Sequence, residues 1–286
     1  FFSSRRRHTR FRNVTGVQTC ALPICFYLSD ALSLEDRQAD AVKQLRQYLR
    51  LAPKDQDRVP MAQASLDVFA AFRGVDMGKV EAPAQPAPIP LHSVLNLLFA
   101  DVWINGEGPF NFLIDTGATQ TVLSGKLADR LGVKKVASNV MHGVGGEGKA
   151  DSSVYRVDSL RLGDVTIHNI ALGTVSNPLL DQVLDGIIGT PTLSDFYITL
   201  DYPRRQLELT RTPPTEGTVL PVWCFSGLML TPVEGNSGIH ASFLVDSGAD
   251  GSLLSHALAA ELGIHKETPG ARLNLPVGDR KSTRLN

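Results

Sequence analysis

The sequence lacks the features of several common classes of protein. None of its 286 residues lie in an uncharged apolar run of the roughly 18 residues that cross a bilayer, so no membrane span is expected. Its cysteines, Cys20, Cys25 and Cys224, are too few for a fold held together by disulfides. The histidines have no metal-ligand spacing, and neither HExxH nor CxxC occurs. We therefore expect no metal and no cofactor.

The net charge of the whole chain is also small, at -1. The charge is unevenly distributed, because residues 1–25 hold five arginines and no acid, and residues 280–286 hold three basic residues and no acid. Residues 26–279 therefore carry a net charge of -9. An acidic body of this kind argues against a nucleic-acid partner.

Both ends of the chain have an unusual composition. Residues 1–28 combine a basic start with a short apolar run, which is the outline of a secretory or lipoprotein signal. The strings SSRRRHTR, VTGVQTCALPI and RKSTRLN also closely resemble translated sequencing-adapter sequence, and the chain does not begin with Met. We favour the second interpretation. We expect residues 1–25 and 280–286 to be non-native, and the gene to be cut at both ends.

Residues 26–75 are predicted to be helical. Apolar residues recur with an approximately helical period in the region from Ser29 to about Gly74. A second helix is predicted from Val59 to Phe72, separated from the first by residues 51–55. The passage around Leu51 resembles the end of one tetratricopeptide repeat passing into the next, and a generic helical hairpin explains it equally well. If the helices are part of such a repeat, they would offer a surface for a protein partner.

The composition and the hydrophobic pattern of the sequence change after this helical region. Four prolines within residues 81–90 exclude helix and favour extended chain, so residues 76–90 are predicted to be a Pro/Ala-rich linker. From residue 91 onward, short β-branched and aromatic runs alternate with turn residues, which predicts a mostly β fold. Hairpins are predicted at residues 94–114, 154–172 and 196–209. Brief helices are predicted at residues 124–132, 178–184 and 191–195.

An internal repeat decides how the β region is interpreted. The segment from Phe112 to Val133 matches the segment from Phe243 to Ile264 without gaps, at a constant offset of 131 residues. A single Asp-[Thr/Ser]-Gly is often only a turn that closes a strand. Two copies between an apolar strand and a Leu-rich helix are much harder to obtain by chance. The two turns are Asp115–Thr116–Gly117–Ala118 and Asp246–Ser247–Gly248–Ala249.

The residue types in the repeat indicate acid–base chemistry. An apolar strand delivers Asp115 into a low-dielectric site, where a lone carboxylate is costly. If Asp246 lies beside it, the two carboxylates share one proton, because like charges about 3 Å apart cannot both ionise. One aspartate then acts as base toward a bound water, while the protonated one donates to a substrate carbonyl. The glycines permit tight turns, and the Thr116 and Ser247 hydroxyls are expected to lock the pair through backbone hydrogen bonds.

Residues 91–279 resemble the bacterial retropepsin-like aspartyl proteases, in which two homologous lobes each supply one aspartate. Residues 185–191 are similar to the second signature of that family, and residues 196–209 are similar to its closing hairpin. The resemblance implies acid protease barrel lobes, aspartic endopeptidase activity on a peptide or protein substrate, and a periplasmic or secreted location. It also implies an apolar-apolar-Gly segment packed beneath the catalytic loop, formed by Ile187, Ile188 and Gly189.

A glycine-rich segment lies where this family carries its flap, the hairpin tip that closes over the peptide. Its residues are His142, Gly143, Val144, Gly145 and Gly146. The glycines also satisfy GxGxxG through Gly148, but a dinucleotide site needs a helix to begin there, and residues 151–157 predict a strand. We therefore favour the flap over a phosphate loop and over an inert turn. Closure of a flap would exclude water from the site.

The two lobes are expected to be unequal. Lobe 1, residues 91–213, contains all three motifs and is expected to be complete. Lobe 2, residues 214–279, is expected to be truncated, because RKSTRLN interrupts it where a second flap should begin, and this leaves the activity of the chain itself open. Three functions fit the sequence: a two-lobed protease using Asp115 and Asp246, a homodimeric protease using Asp115 from two copies of lobe 1, and a non-catalytic peptide-binding module. We favour the first.

Overall fold

The fold is taken from a computed structural model. It describes residues 2–3, 22–35, 37–52, 54–55, 57–142, 149–175, 183–225, 227–234 and 240–261. Along the chain, a helical segment is followed by a large β lobe and then by a small separate sheet. No helix within these ranges is both long and apolar enough to cross a membrane.

The helical segment consists of α1 (Leu22–Leu34), α2 (Gln38–Leu51) and α3 (Arg58–Ala71). Helix α2 turns one apolar face inward, so that Ala41, Leu45 and Tyr48 are buried. The Tyr48 ring packs on the ring of Phe26 in α1, with centroids 5.4 Å apart. Helix α3 confirms the predicted second helix to within one residue at each end.

The start of the helical segment differs from the sequence-based expectation. The region predicted as one helix from Ser29 is divided between α1 and α2, and α1 begins at Leu22. Helix α1 therefore crosses the predicted boundary at residue 25. The physical reason is burial, since Cys25 and Phe26 are only 5% and 6% exposed in the core shared by the helices.

Lobe 1 is a β barrel with added strands. Its strands are β2 (Lys79–Glu81), β3 (Ile89–Val94), β4 (Leu97–Ile104), β5 (Glu107–Asp115), β6 (Val122–Ser124), β7 (Lys134–His142), β8 (Lys149–Leu162), β9 (Val165–Val175), β10 (Gly186–Gly189), β11 (Tyr197–Asp201) and β12 (Gln206–Thr210). A two-residue strand, β1 (Phe2–Ser3), pairs with β11, and the short helix α4 (Gly125–Leu131) follows β6. The order β4-β5-β10-β6-β9-β8 closes on itself through the β4–β8 pairing. The predicted mostly β fold is confirmed.

The predicted hairpins of lobe 1 form, with one difference. Strands β4 and β5 pair antiparallel around Asn105 and Gly106, which both have positive φ, as a tight two-residue hairpin turn requires. The β8–β9 and β11–β12 hairpins form as expected. The expectation that Val94 begins the first strand is wrong. It ends β3, and a turn with positive φ at Leu95 and Asn96 separates β3 from β4.

The helical segment contacts lobe 1 directly. The Arg156 guanidinium of β8 donates from Nη1 to the Ala71 carbonyl (2.7 Å) and lies over the Phe72 ring, 5.1 Å from its centroid. Within the predicted linker, β2 pairs with β9 and β3 has already begun at Ile89. The prolines keep this segment extended, and an extended chain can pair with a neighbouring strand. Residues 76–90 therefore lie against lobe 1.

Lobe 2 is smaller and more exposed. It contains β13 (Trp223–Phe225), β14 (Leu228–Glu234), β15 (His240–Leu244) and α5 (His256–Glu261). The strands form an antiparallel sheet in the order β13-β14-β15. Met229 is buried, but Trp223 and Leu253 are 44% and 38% exposed, and no side chain of α5 is buried. The described part of lobe 2 thus encloses little core of its own.

Candidate active site

Strand β5 ends at Asp115 and is supported by β10. Its last apolar residues, Phe112, Leu113 and Ile114, are buried. Strand β10 runs parallel to β5 with Gly189 opposite Asp115, and antiparallel to β6 on its other edge. At Gly186 a Cβ would come within 2.5 Å of the Val122 carbonyl oxygen, so only glycine allows β10 this close. Strand β5, which carries Asp115, is therefore held in place by close contact with β10.

The two repeat turns meet at a reciprocal hydrogen-bond network. Thr116 Oγ1 donates to the Val245 carbonyl (2.8 Å) and accepts from the Ser247 N–H (2.9 Å). Ser247 Oγ donates to the Ile114 carbonyl (2.8 Å) and accepts from the Thr116 N–H (3.0 Å). Both side chains are buried, so the bonds are shielded from water. The hydroxyls that the sequence predicts to lock the pair are placed to do so.

The network brings the carboxylates together. Gly117 lies against the Asp246 carboxylate and Gly248 lies against that of Asp115: a Cβ on Gly117 would meet Asp246 Cγ at 2.5 Å, and one on Gly248 would meet Asp115 Oδ1 at 2.6 Å. Asp115 Oδ1 also accepts a hydrogen bond from the Gly117 N–H (2.7 Å), and Asp246 Oδ1 accepts one from the Gly248 N–H (2.9 Å). The N–H groups of Ala118 and Ala249 close the turns.

The electrostatic environment of the two aspartates is unequal. Burial first, and then the charge and hydrogen bond of Asp246, raise the pKa of Asp115 to about 7. Asp115 is partly buried, whereas Asp246 is exposed. Near neutral pH the site can therefore hold one proton on Asp115 beside a second carboxyl group.

Comparison with known proteins finds similarity to one family model and to solved structures. Residues 100–192 match the family model described as aspartyl protease. The matched residues all lie within lobe 1, which is similar to the aspartyl protease family over that range. Among solved structures, the chain is similar to a retropepsin-like aspartic protease from Rickettsia conorii at 19% identity and a TM-score of 0.34, covering 48% of this chain and 97% of that one. No curated protein sequence matches the chain.

Lobe 1 contains supporting residues that the sequence analysis missed. Thr121 accepts from the Gly189 N–H (3.0 Å) and is hydrogen-bonded to Thr192 (2.6 Å), which ties the loop after Asp115 to β10. Thr190 donates to the Thr116 carbonyl (3.2 Å). Ile187 and Ile188 lie in β10, with Ile188 only 1% exposed. The repeat contained a signal for Thr121, because the offset places a second hydroxyl at Ser252.

A cavity of about 380 Å³ opens beside Asp246, between the lobes. Lobe 1 contributes Leu200 and Tyr202, and lobe 2 contributes Met229 and Asp246. Burial, and then the charge of Asp246, raise the pKa of Tyr202. The sequence analysis placed Tyr202 only in a closing hairpin, because nothing local to that turn indicates its proximity to an aspartate 44 positions later.

The predicted flap lies largely outside the described residues. Strands β7 and β8 pair as far as His142 and Lys149, so the hairpin that would carry it is present. His142 is the last described residue of β7, and Gly143, Val144, Gly145 and Gly146 fall beyond it. Within the described part of the chain, no group of three or more His, Cys, Asp or Glu side chains is arranged to hold a metal ion.

Proposed function

We propose that the chain is an aspartic endopeptidase in which Asp115 and Asp246 form the catalytic dyad. The observation that supports this most strongly is the reciprocal set of hydrogen bonds between Thr116 and Ser247, which holds the two carboxyl groups side by side. Proximity of this kind makes two carboxyl groups share one proton. The match of residues 100–192 to the aspartyl protease model also supports proteolysis as the activity.

The unequal burial of the two aspartates suggests which of them acts as the acid and which as the base. Asp115 would hold the shared proton, because burial favours its neutral form. Asp246 would take a proton from a water as that water attacks the peptide carbonyl carbon, while Asp115 gives its proton to the carbonyl oxygen. Collapse of the tetrahedral intermediate breaks the C–N bond, and the amine leaves with the proton taken up by Asp246. One hydroxyl of the intermediate returns its proton to Asp115 as the carboxyl product forms, so the dyad again holds one proton.

The homodimeric alternative would need a different set of contacts. The hydroxyl and N–H of Thr116 are bonded to Val245 and Ser247 of the same chain, so a second copy of lobe 1 would have to displace lobe 2. The non-catalytic alternative keeps the same geometry and omits cleavage. A protein that only grips peptides does not require two carboxyl groups in contact, since each unrelieved charge there is costly.

Single substitutions test the proposal. Asp115→Asn and Asp246→Asn should each reduce cleavage of fluorescein-labelled casein by roughly a hundredfold or more, measured from acid to neutral pH. Asp101→Asn, on the exposed side of β4, is the matched control and should retain full activity. Activity that survives Asp246→Asn but not Asp115→Asn would favour the homodimer. Casein binding without cleavage by the unsubstituted chain would favour the binding module.

A further inference from the structure

The peptide group between Thr116 and Gly117 is hydrogen-bonded on both of its sides. Its N–H, which belongs to Gly117, donates to Asp115 Oδ1 at 2.7 Å. Its carbonyl oxygen, which belongs to Thr116, accepts from the Thr190 hydroxyl at 3.2 Å. The Thr190 hydroxyl is therefore connected to the Asp115 carboxyl group through a single peptide group.

The chain on either side of Thr190 holds it in this position. Thr190 directly follows β10, whose last residue, Gly189, lies opposite Asp115. It also begins a short 3₁₀ helix, Thr190–Leu193, in which Pro191 restricts the backbone. A strand pairing before Thr190 and a proline-stiffened turn after it therefore fix the backbone that carries its hydroxyl.

The end of β10 is in close contact with the loop that follows Asp115. A Cβ on Gly189 would lie 2.6 Å from the Gln120 carbonyl oxygen and 2.9 Å from that of Ala118. Backbone segments packed this closely have little space to move separately. The separation of Thr190 from the Thr116 carbonyl is therefore set by packing as well as by the hydrogen bond itself.

The Gly117 N–H affects how tightly Asp115 holds its proton. Burial and then Asp246 raise the pKa of Asp115, whereas the N–H groups of Gly117 and Ala118 lower it. They do so because a hydrogen bond donated to a carboxylate favours its ionised form. A peptide group whose carbonyl accepts a hydrogen bond is polarised, and its N–H becomes a stronger donor. A group bonded to the Thr116 carbonyl can therefore influence the proton on Asp115.

We propose that Thr190 is a positioning residue, which sets the orientation and the donor strength of the Gly117 N–H at Asp115. Its hydroxyl holds the Thr116 carbonyl, so that the N–H on the other side of the peptide group stays directed at Asp115 Oδ1. Without the hydroxyl this peptide group could tilt, and its N–H would be a weaker donor. At 3.2 Å the bond is longer than most O–H···O hydrogen bonds, so we expect a moderate effect.

A purely structural role for Thr190 predicts a different result. In that case its hydroxyl only satisfies the partly buried Thr116 carbonyl, and its removal lowers the stability of the fold. The proton affinity of Asp115 would then stay the same. The two roles are therefore separated by the titration of Asp115 and not by the free energy of unfolding.

The titration is measured in the full chain carrying Asp246→Asn, which leaves one titrating carboxyl group at the junction of the two turns. Carbon NMR of the aspartate-labelled chain follows the carboxyl signal that disappears when Asp115→Asn is added. Thr190→Val should raise the pKa of Asp115 by roughly half a pH unit, because weaker donation disfavours the ionised form. Thr190→Ser retains the hydroxyl and should leave the pKa of Asp115 near its starting value.

Two further variants keep the measurement decisive. Thr166→Val makes the same chemical change in β9, opposite Glu81 of β2, and should leave the Asp115 titration unchanged. Thr190→Ala adds no methyl group against the Thr116 carbonyl and serves if Thr190→Val does not fold, as judged by circular dichroism. An unchanged Asp115 titration in Thr190→Val or Thr190→Ala, or an equal change in Thr190→Ser, would overturn the inference.

The effect of Thr190 on cleavage rests on the proposed function and is measured separately, with both aspartates present. If Asp115 is the acid, cleavage of labelled casein declines as pH rises through its pKa. Thr190→Val should move this decline to higher pH, whereas a purely structural defect would lower the rate equally at every pH. A changed Asp115 titration with no cleavage by the unsubstituted chain contradicts the proposed function alone. Cleavage with an unchanged titration contradicts the role of Thr190 alone.

Discussion

Gly117 lies directly against the Asp246 carboxylate, across the boundary between the lobes. A Cβ on this glycine would be 2.5 Å from Asp246 Cγ and 2.6 Å from Oδ1. Gly248 stands in the mirrored relationship to Asp115. The glycine of each turn thus leaves space for the aspartate of the other, in addition to permitting a tight turn.

The first prediction follows from this contact. Gly117→Ala and Gly248→Ala should each reduce peptide cleavage by at least roughly tenfold, because the added methyl group must push the opposite carboxyl group out of place. Gly251→Ala is the matched control, since a Cβ there meets nothing within 4 Å. Steady-state cleavage of labelled casein and thermal melting are the measurements. Equal activity in Gly117→Ala and Gly251→Ala would contradict the close packing of the dyad.

The second prediction concerns the network that joins the lobes. Thr116→Val and Ser247→Ala should each destabilise the chain by about 1–3 kcal/mol, because each leaves buried backbone groups without a partner. The double variant should cost less than the two single costs combined, because both side chains serve one network. Thr116→Ser keeps the hydroxyl and should cost less than Thr116→Val. Urea unfolding measures these energies, and strictly additive costs would mean that the two turns are not coupled.

Much of this site could be predicted from the sequence because the repeat is local and the physics of its turn is simple. The run from Phe112 to Gly117 specifies a buried strand, a carboxylate and a tight turn within six consecutive residues. Its second copy at Phe243 implies a partner for that carboxylate. The reciprocal bonds of Thr116 and Ser247 follow from the same symmetry.

Other features depend on contacts between distant segments, which a local pattern does not contain. Helix α1 extends back to Leu22 because Cys25 and Phe26 find a core on α2. Strand β2 forms because β9 is available to pair with it. Tyr202 lies in the same cavity as Asp246 because the β11–β12 hairpin brings its turn there. In each case tertiary packing decides the outcome.

The third prediction concerns the attachment of the helical segment. Arg156→Ala removes both the hydrogen bond to the Ala71 carbonyl and the contact with the Phe72 ring. Amide hydrogen exchange in the last turn of α3 should become faster by roughly tenfold. Arg161→Ala is the matched control, because that guanidinium lies over the Trp103 ring at 3.8 Å and donates to the Gly163 carbonyl at 3.1 Å. Equal exchange in α3 for both variants would show that Arg156 does not hold the segment.

The last prediction concerns the pH dependence of folding stability. Folded Asp115 keeps its proton until about pH 7, whereas an unfolded aspartate releases it near its ordinary pKa of 3.8. Between pH 3.8 and pH 7 the folded state binds more protons than the unfolded state. The contribution of protonated Asp115 to the free energy of unfolding is therefore fully present below about pH 3.8. It falls as pH rises toward 7, by at most about 1.4 kcal/mol per pH unit. The asparagine of the Asp115→Asn variant does not titrate. The free energy of unfolding of the variant, relative to that of the unsubstituted chain, should therefore increase across this pH range and then level off. Urea unfolding of both proteins at a series of pH values measures the difference, with Asp101→Asn as the control for loss of an exposed charge. A difference that is constant with pH would show that Asp115 titrates normally, and the shared proton at the dyad would then have to be abandoned.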